Sequence, residues 1–258
     1  MQYVFIKRYG DDNIINFYDE LLKEFKIIAD KKWVKGVNNL TSAAGLTFEK
    51  LLGKKPDSLY LPDYYGIEIK TTQRYSRYAV SLFSLSFDGP NLFEMNRLME
   101  KYSIDRQLYG SIYTNKYSLI NGVNFKLKVD KRLKRLVLCV YDLYFNLIEE
   151  RSYIDFSSIK IRLETKLTKL ALVYASKKLI NDEKYFRYYK IIFYELKSFD
   201  KFIELLEEEK IRVSILGRTA KSGIDAGKQK NKNLIFAIQK DSIEELFEKK
   251  YEYDADLN

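Results

Sequence analysis

The sequence contains no histidine and a single cysteine, Cys139, among its 258 residues. The absence of histidine excludes Ser-His-Asp and Cys-His hydrolases, zinc sites with histidine ligands and enzymes that use histidine as a general base. One cysteine allows neither an intrachain disulfide nor a cysteine-rich metal site nor catalysis by paired thiols, which agrees with a reducing compartment. Hydrolytic chemistry, where it occurs in this chain, must proceed without histidine.

Long apolar runs and the pattern of a signal peptide are also missing. The longest apolar candidate, residues 136–147, contains Asp142 and is shorter than the roughly 20 residues of a membrane helix. The N-terminal residues carry charge from Lys7 onward, and no small-residue cleavage site follows an apolar segment of signal length. We therefore expect a cytoplasmic protein that is neither secreted nor inserted in a membrane.

What the chain does contain is an excess of positive charge. There are 45 Lys and Arg residues against 36 Asp and Glu residues, which gives a formal net charge of +9 and a pI near 9.2. Residues 116–135 and residues 210–232 concentrate this charge, because each stretch holds seven basic residues and one acidic residue. A basic chain favours a polyanionic partner only weakly, so both stretches are candidates for nucleic-acid contacts and are equally explained as solvated loops.

The order of predicted elements is mixed. Helical spacing predicts helices over residues 13–31, 41–52, 91–102, 164–179, 199–208 and 242–249. Segments rich in branched and aromatic residues predict extended structure at residues 59–62, 66–71, 78–87, 109–113, 123–129, 136–144, 185–196, 211–216 and 234–239. A basic loop with glycines is expected between the last two segments. This order predicts a mixed α/β fold.

Residues that carry chemistry are concentrated in the segment PDYYGIEIK, residues 62–70. A tight turn at its glycine would set the carboxylates of Asp63 and Glu68 at adjacent strand ends. Strand alternation would put Glu68 and Lys70 on one face and the two isoleucines on the opposite, apolar face. Two carboxylates and a lysine then converge on one point without any distant residue.

This trio suits metal-assisted hydrolysis of a phosphodiester. Asp63 and Glu68 offer hard oxygen ligands for Mg²⁺, which keeps several waters and bridges to phosphate. Such an ion activates a bound water, stabilises charge on the phosphoryl oxygens and orients in-line attack. Lys70 would position the attacking water or help to deprotonate it. The alternative is a chance spacing on a surface strand, against which the Pro-Asp pair, the glycine and the alternating isoleucines argue.

The segment PDYYGIEIK resembles the core of the PD-(D/E)XK nuclease superfamily. The wider runs GLTFEKLLG at residues 45–53, LPDYYGIEIKTTQRYS at 61–76 and SLFS at 81–84 resemble the MvaI/BcnI group of restriction endonucleases, which is related to the mismatch-repair nicking enzyme MutH. The resemblance is close over residues 45–84 and looser over the last fifty residues.

The resemblance also implies roles for individual residues. Asp63 and Glu68 match the metal ligands of the group, and Lys70 matches its catalytic lysine. Glu49 matches a helix glutamate that precedes the metal-binding strands, so it is expected to support the metal site or to orient a water. Without the neighbouring motif, Glu49 would be interpreted as part of a solvated helix face.

The implied architecture is an α/β fold of the PD-(D/E)XK type, in which helices flank a mixed sheet and a second lobe closes a basic DNA cleft. Residues 1–115 would form a catalytic lobe with the metal site, and residues 116–258 a sheet-rich remainder with the DNA-recognition lobe. One integrated domain is the alternative, since no linker-like segment separates them. The implied function is that of a type II-like restriction endonuclease, a monomer that cuts double-stranded DNA with Mg²⁺ and has a cognate DNA methyltransferase in the same cell.

Candidates for DNA contacts lie in two places. Base edges are read by Arg, Lys, Asn and Gln, whereas phosphates require positive charge. Arg74 and Arg77, just after the catalytic strand, are expected near phosphates that flank the cut. The group has a histidine-containing reading motif that this chain lacks, so the target sequence stays open, and a basic loop without base readout is the alternative. The candidates in the predicted loop 217–233 are Arg218, Lys221, Lys228, Gln229, Lys230 and Lys232.

Three other functions stay open at this point. A strand-specific nickase similar to MutH would use the same residues and cut one strand. A DNA-binding module with an inactive nuclease fold would keep the basic surface and cut nothing. A basic structural or interaction protein, in which the acidic pair is accidental, would show neither Mg²⁺-dependent cleavage nor specific DNA retention at physiological salt.

Overall fold

The computed structural model describes residues 17–53, 61–73, 76, 78–91, 93–224 and 226–257. The helices in these ranges are α1 (Phe17–Asp30), α2 (Ala43–Leu51), α3 (Glu94–Tyr102), α4 (Phe156–Leu167), α5 (Phe199–Glu207) and α6 (Ile243–Leu246), with a 3-10 turn at Lys240–Ser242. The strands are β1 (Val34–Lys35), β2 (Glu68–Gln73), β3 (Val80–Leu85), β4 (Gln107–Ile112), β5 (Ser118–Ile120), β6 (Val123–Asp130), β7 (Arg135–Tyr141), β8 (Leu147–Asp155), β9 (Lys169–Ile180), β10 (Glu183–Leu196), β11 (Ile211–Thr219), β12 (Gln229–Ile238) and β13 (Phe247–Asp254).

The strands form three sheets. The first has the order β1-β10-β9-β2 with β13 also paired to β10, the second has the order β3-β12-β11-β4, and the third has the order β5-β6-β7-β8. Strand β2 runs parallel to β9, with Glu68 opposite Leu170. Each of the first two sheets contains strands from before and from after residue 115 in the sequence. The division of the chain into two lobes at that residue stays a prediction.

The first sheet separates two apolar cores. On one face Ile69 of β2 and Ile67, the residue before this strand, pack with Phe25 of α1 and Phe48 of α2. On the other face Leu170 and Leu172 of β9 join the larger core, to which helices α3 to α5 and the other two sheets also contribute. Because side chains alternate along a strand, the face of β2 opposite Ile69 carries Glu68 and Lys70.

The predicted helix over residues 164–179 is correct only for residues 164–167 and is wrong for the rest. Helix α4 ends at Leu167, and β9 begins at Lys169. Leu170 and Leu172 are buried on one face of β9, and Ala171 and Val173 on the other. A strand that is buried on both faces has an almost continuous apolar run, which periodicity alone does not distinguish from a helix.

The predicted helix over residues 242–249 is correct only for its first turn. Helix α6 ends at Leu246, and residues 247–254 form β13, in which Phe247 pairs with Leu196 of β10. The lysines and glutamates of this segment favour a helix, but this preference is weak, and pairing with β10 overrides it. The extended segment expected at residues 59–62 is partly outside the described residues, and Leu61 and Pro62 are not in a strand.

The mixed α/β fold class is confirmed by the elements and sheets. The described part of helix 13–31 and the helices predicted near residues 41–52, 91–102 and 199–208 are present with shorter ends. Within the described ranges, no helix is both long and apolar enough to cross a membrane.

Candidate active site

A two-residue hairpin turn joins the two halves of the predicted site. The Tyr64 N–H donates to the Ile67 carbonyl at 2.9 Å, and the Ile67 N–H donates to the Tyr64 carbonyl at 2.8 Å. Between them, Tyr65 has a φ of +44° and Gly66 a φ of +87°. Left-handed angles at both central positions are typical of the turn that suits strand twist, and glycine adopts them without steric cost. The tight turn predicted from the glycine is confirmed.

The carboxylate of Asp63 is fixed to the strand that follows this turn. Its Oδ2 accepts a hydrogen bond from the Ile69 N–H at 3.0 Å, and the residue is half-buried. The bond crosses the hairpin, so Asp63 is held beside the first residues of β2. Its negative charge is close enough to raise the pKa of the Glu68 carboxyl.

Glu68 and Lys70 are paired on the same face of β2. The Lys70 Nζ lies 2.5 Å from Glu68 Oε1, and the Glu68 side chain is 1% exposed. Burial raises the pKa of Glu68 above its ordinary value, with a further contribution from the charge of Asp63, while the nearby lysines act in the opposite direction. A buried carboxylate is costly without such compensation. The structure therefore brings together the three residues that the motif predicted.

A second lysine, which the sequence did not predict, reaches the same carboxylate. Lys166 Nζ lies 3.3 Å from Glu68 Oε1. Lys166 belongs to the last turn of α4, which leads directly into β9, and β9 runs parallel to β2. The end of α4 is therefore next to the start of β2. No local sequence signal indicates this contact, because it depends on which strands pair.

The oxygen atoms of this site fit a magnesium ion. Glu68 Oε2 is buried and has no hydrogen-bond partner among the described residues, whereas Oε1 accepts from Lys70. A group of three or more His, Cys, Asp or Glu side chains placed to hold a metal is absent from the part of the chain that the structure describes. Two carboxylates suffice for Mg²⁺, since this ion completes its coordination with waters and phosphate oxygens.

Glu49 lies on α2, which packs against the apolar face of β2. Helix α2 packs with Ile67 and Ile69 in the core that contains Ala44 and Phe48. Glu49 is half-buried near the end of this helix. The structure therefore places Glu49 on a helix that packs on the side of β2 opposite Glu68 and Lys70, and its supporting role stays a prediction.

The basic segment expected as a loop at residues 217–233 is mostly a hairpin. Strands β11 and β12 continue their pairing to Thr219 opposite Gln229, so the loop is confined to residues 220–228. The first of the two predicted strands ends at residue 216. In the structure, a register shift between β11 and β12 lies at this point, between Leu216 and Arg218. A bulge of this kind bends a strand without ending it.

The candidate DNA contacts on this hairpin are only partly described. Arg218, Lys221 and Lys228 are exposed near its tip. The side chains of Gln229, Lys230 and Lys232 lie outside the described part of the structure, although their backbones belong to β12. Arg74 and Arg77 also lie outside the described residues. Their roles in DNA binding stay predictions.

Lys240 connects the base of this hairpin to the end of β2. Its Nζ donates to the Gln73 carbonyl at 3.3 Å and lies 4.9 Å from the ring centroid of Tyr174. Burial lowers the pKa of the Lys240 ammonium below its ordinary value. No local sequence pattern indicates this link, since Lys240 follows a strand from the opposite end of the chain.

Comparison with known proteins identifies similar chains over nearly the whole length. The family model of the MvaI/BcnI restriction endonucleases matches residues 22–247. The structure of restriction endonuclease MvaI with its cognate DNA substrate is 25% identical, covers 92% of this chain and 99% of its own, and has a TM-score of 0.86. MvaI in the absence of DNA is also 25% identical, covers 93% and 99%, and has a TM-score of 0.59. Among curated protein sequences no significant match was found.

Proposed function

The chain belongs to the MvaI/BcnI restriction endonuclease family, and we propose that it hydrolyses phosphodiester bonds of double-stranded DNA at a specific sequence with Mg²⁺ as its cofactor. The observation that carries this proposal is the hairpin. It holds Asp63 against the backbone of β2 next to Glu68, and the ammonium of Lys70 contacts the carboxylate of Glu68. These residues combine two oxygen ligands with a cation next to a buried acceptor, and this combination can hydrolyse a phosphodiester without histidine.

In this mechanism Asp63 and Glu68 would hold the metal, with the unpartnered Oε2 of Glu68 as one ligand atom. When bound, Mg²⁺ lowers the pKa of a coordinated water and neutralises charge that develops on the phosphate. Lys70 would orient the attacking water and, as the neutral amine, take up the proton that this water loses on attack. The hydrogen bond from the Ile69 N–H would keep Asp63 in place during the reaction.

Double-stranded DNA as the substrate is supported by the chain's similarity to MvaI. The TM-score is higher with the MvaI complex with cognate DNA than with MvaI in the absence of DNA. The described arrangement therefore resembles the DNA-bound form of that protein more than its DNA-free form. The exposed Arg218, Lys221 and Lys228 would contact DNA from the β11–β12 hairpin.

The described part of the chain contains one such site, and we propose that the protein acts as a monomer that cuts the two strands in succession. A nuclease that cuts at a specific sequence endangers the DNA of its own cell. We therefore also propose a cognate DNA methyltransferase that acts on the same sequence in the cytoplasm.

Removing charge from the hairpin tip is expected to weaken DNA binding. Each lysine or arginine that contacts a phosphate contributes about 0.9 to the slope of log affinity against log salt. The double variant Arg218→Ala/Lys221→Ala should therefore bind more weakly and show a slope smaller by about 2. Binding is measured with Ca²⁺ in place of Mg²⁺, from about 50 to 200 mM salt.

Lys160→Ala is the control for this experiment, because its side chain is 54% exposed on α4 and lies 3.8 Å from Glu164. It should leave the salt dependence of binding unchanged. An identical slope for the double variant and the wild type would show that the hairpin tip does not touch phosphates.

Digestion of supercoiled plasmid with and without Mg²⁺ tests the proposed function. We expect linear DNA from the wild type with Mg²⁺, and intact supercoils without metal. Accumulation of nicked circles that never become linear would favour a strand-specific nickase. Intact DNA on several unmethylated substrates, together with tight DNA binding, would instead indicate a binding module.

A further inference from the structure

We propose that Lys166 is a positioning residue for the metal-binding carboxylate. It anchors Oε1 of Glu68 so that Oε2 faces the metal, and it stays on the carboxylate when Lys70 turns to the attacking water. This inference rests on the proposed function, because it assigns a task to Lys166 within the same metal site. Lys166 acts through Glu68 and is not itself expected to touch the substrate.

The two oxygens of Glu68 have very different surroundings. Oε1 lies 2.5 Å from Lys70 Nζ and 3.3 Å from Lys166 Nζ. Oε2 is buried and has no hydrogen-bond partner among the described residues. Two ammonium groups on one oxygen fix the rotation of the carboxylate and leave the other oxygen as the acceptor that a metal can use.

A second cation is needed because Lys70 has two tasks. Glu68 is 1% exposed, and a buried carboxylate without a counter-ion is costly. If Lys70 were the sole counter-ion, its movement toward the attacking water would leave this charge uncompensated. Lys166 removes the conflict, since its backbone is fixed at the junction of α4 and β9.

Two effects of opposite sign act on the metal. The positive charge of Lys166 repels a divalent cation on the same carboxylate, so its removal could tighten metal binding. Its ion pair with Oε1 orients the ligand, so its removal should weaken metal binding. We expect the second effect to dominate, because the carboxylate of Glu68 would lie between Lys166 and the metal ion and would screen the repulsion. Without Lys166, the orientation of this carboxylate would depend on Lys70 alone.

Titration of the DNA-free protein with Mn²⁺, followed by the EPR signal of the free ion, measures this directly. We expect Lys166→Met to weaken Mn²⁺ binding by about tenfold or more, which is the usual effect of removing a group that orients a metal ligand. Lys166→Arg keeps a charged donor and should restore most of the affinity. Lys166→Gln should lose Mn²⁺ affinity to the same extent as Lys166→Met. It takes the place of Lys166→Met in the experiment if the Met variant does not fold.

The control is Lys160→Met, on the same helix and 54% exposed, which should bind Mn²⁺ like the wild type. Asp63→Asn identifies the binding event, because it removes a proposed ligand. The proposal would be overturned if Lys166→Met bound Mn²⁺ as tightly as the wild type or more tightly. It would also be overturned if Asp63→Asn removed no Mn²⁺ binding from the wild type.

Cleavage of plasmid by the same proteins separates this inference from the proposed function. If the wild type binds Mn²⁺ but cuts no DNA, the nuclease function fails and the Mn²⁺ result still decides the role of Lys166. If the wild type cuts DNA and Lys166→Met binds Mn²⁺ normally, the function stands and the positioning role is wrong.

Discussion

Asp63→Asn is expected to reduce the single-turnover rate of DNA cleavage by about a thousandfold or more. Stabilisation of transition-state charge by a metal ion contributes several kcal/mol, and each 1.36 kcal/mol corresponds to about a tenfold change in rate. The substitution removes the charge of one proposed ligand. Asparagine keeps an oxygen that can accept the hydrogen bond from the Ile69 N–H, so the turn should keep its geometry.

Asp63→Ala is the informative comparison, because it removes both the charge and the acceptor of the Ile69 bond. Both variants should lose cleavage, but only Asp63→Ala should also lower the melting temperature. Binding of duplex DNA with Ca²⁺ serves as the check that the surface is intact. Cleavage by Asp63→Asn at a rate near that of the wild type would remove Asp63 from the metal site.

Lys70→Met is expected to reduce the cleavage rate by about 10²- to 10⁴-fold, the usual contribution of a group that transfers a proton in the transition state. Methionine has similar length but carries no charge and no proton to exchange. Lys166 remains within reach of Glu68 Oε1, so the buried carboxylate keeps one counter-ion and the fold should survive. The rate is measured in single turnover at saturating Mg²⁺.

Two further variants separate the proposed proton transfer by Lys70 from the effect of its positive charge. Lys160→Met removes one positive charge from the exposed face of α4 and should cut DNA at the wild-type rate. Lys70→Arg keeps the charge but holds its proton far more tightly, so it should remain slow. Full activity of Lys70→Arg would mean that charge alone is required at this position.

The core of the candidate site could be predicted because it is local in sequence. Asp63, Glu68 and Lys70 lie within eight residues, and a glycine at the turn together with strand alternation determines how they converge. Lys166 and Lys240 could not be predicted in this way. Their contacts depend on the parallel pairing of β2 with β9 and on the position of the 3-10 turn after β12.

The errors in the fold have the same physical origin. Residues 169–179 fall within a predicted helix because a strand buried on both faces shows no polar alternation. Residues 247–254 contain helix-favouring Glu and Lys, but they pair with β10, which is far away in sequence. Segments with one clear apolar face, such as α1 and α5, were predicted with nearly correct bounds because amphipathic spacing is a local signal.

The most direct test of the central claim is to digest unmethylated phage DNA with Mg²⁺ and to sequence the ends of the fragments. We expect the wild type to produce ends at one short sequence and Asp63→Asn to produce none. Ends scattered over unrelated sequences, or the same ends from both proteins, would contradict a site-specific nuclease that acts through Asp63, Glu68 and Lys70.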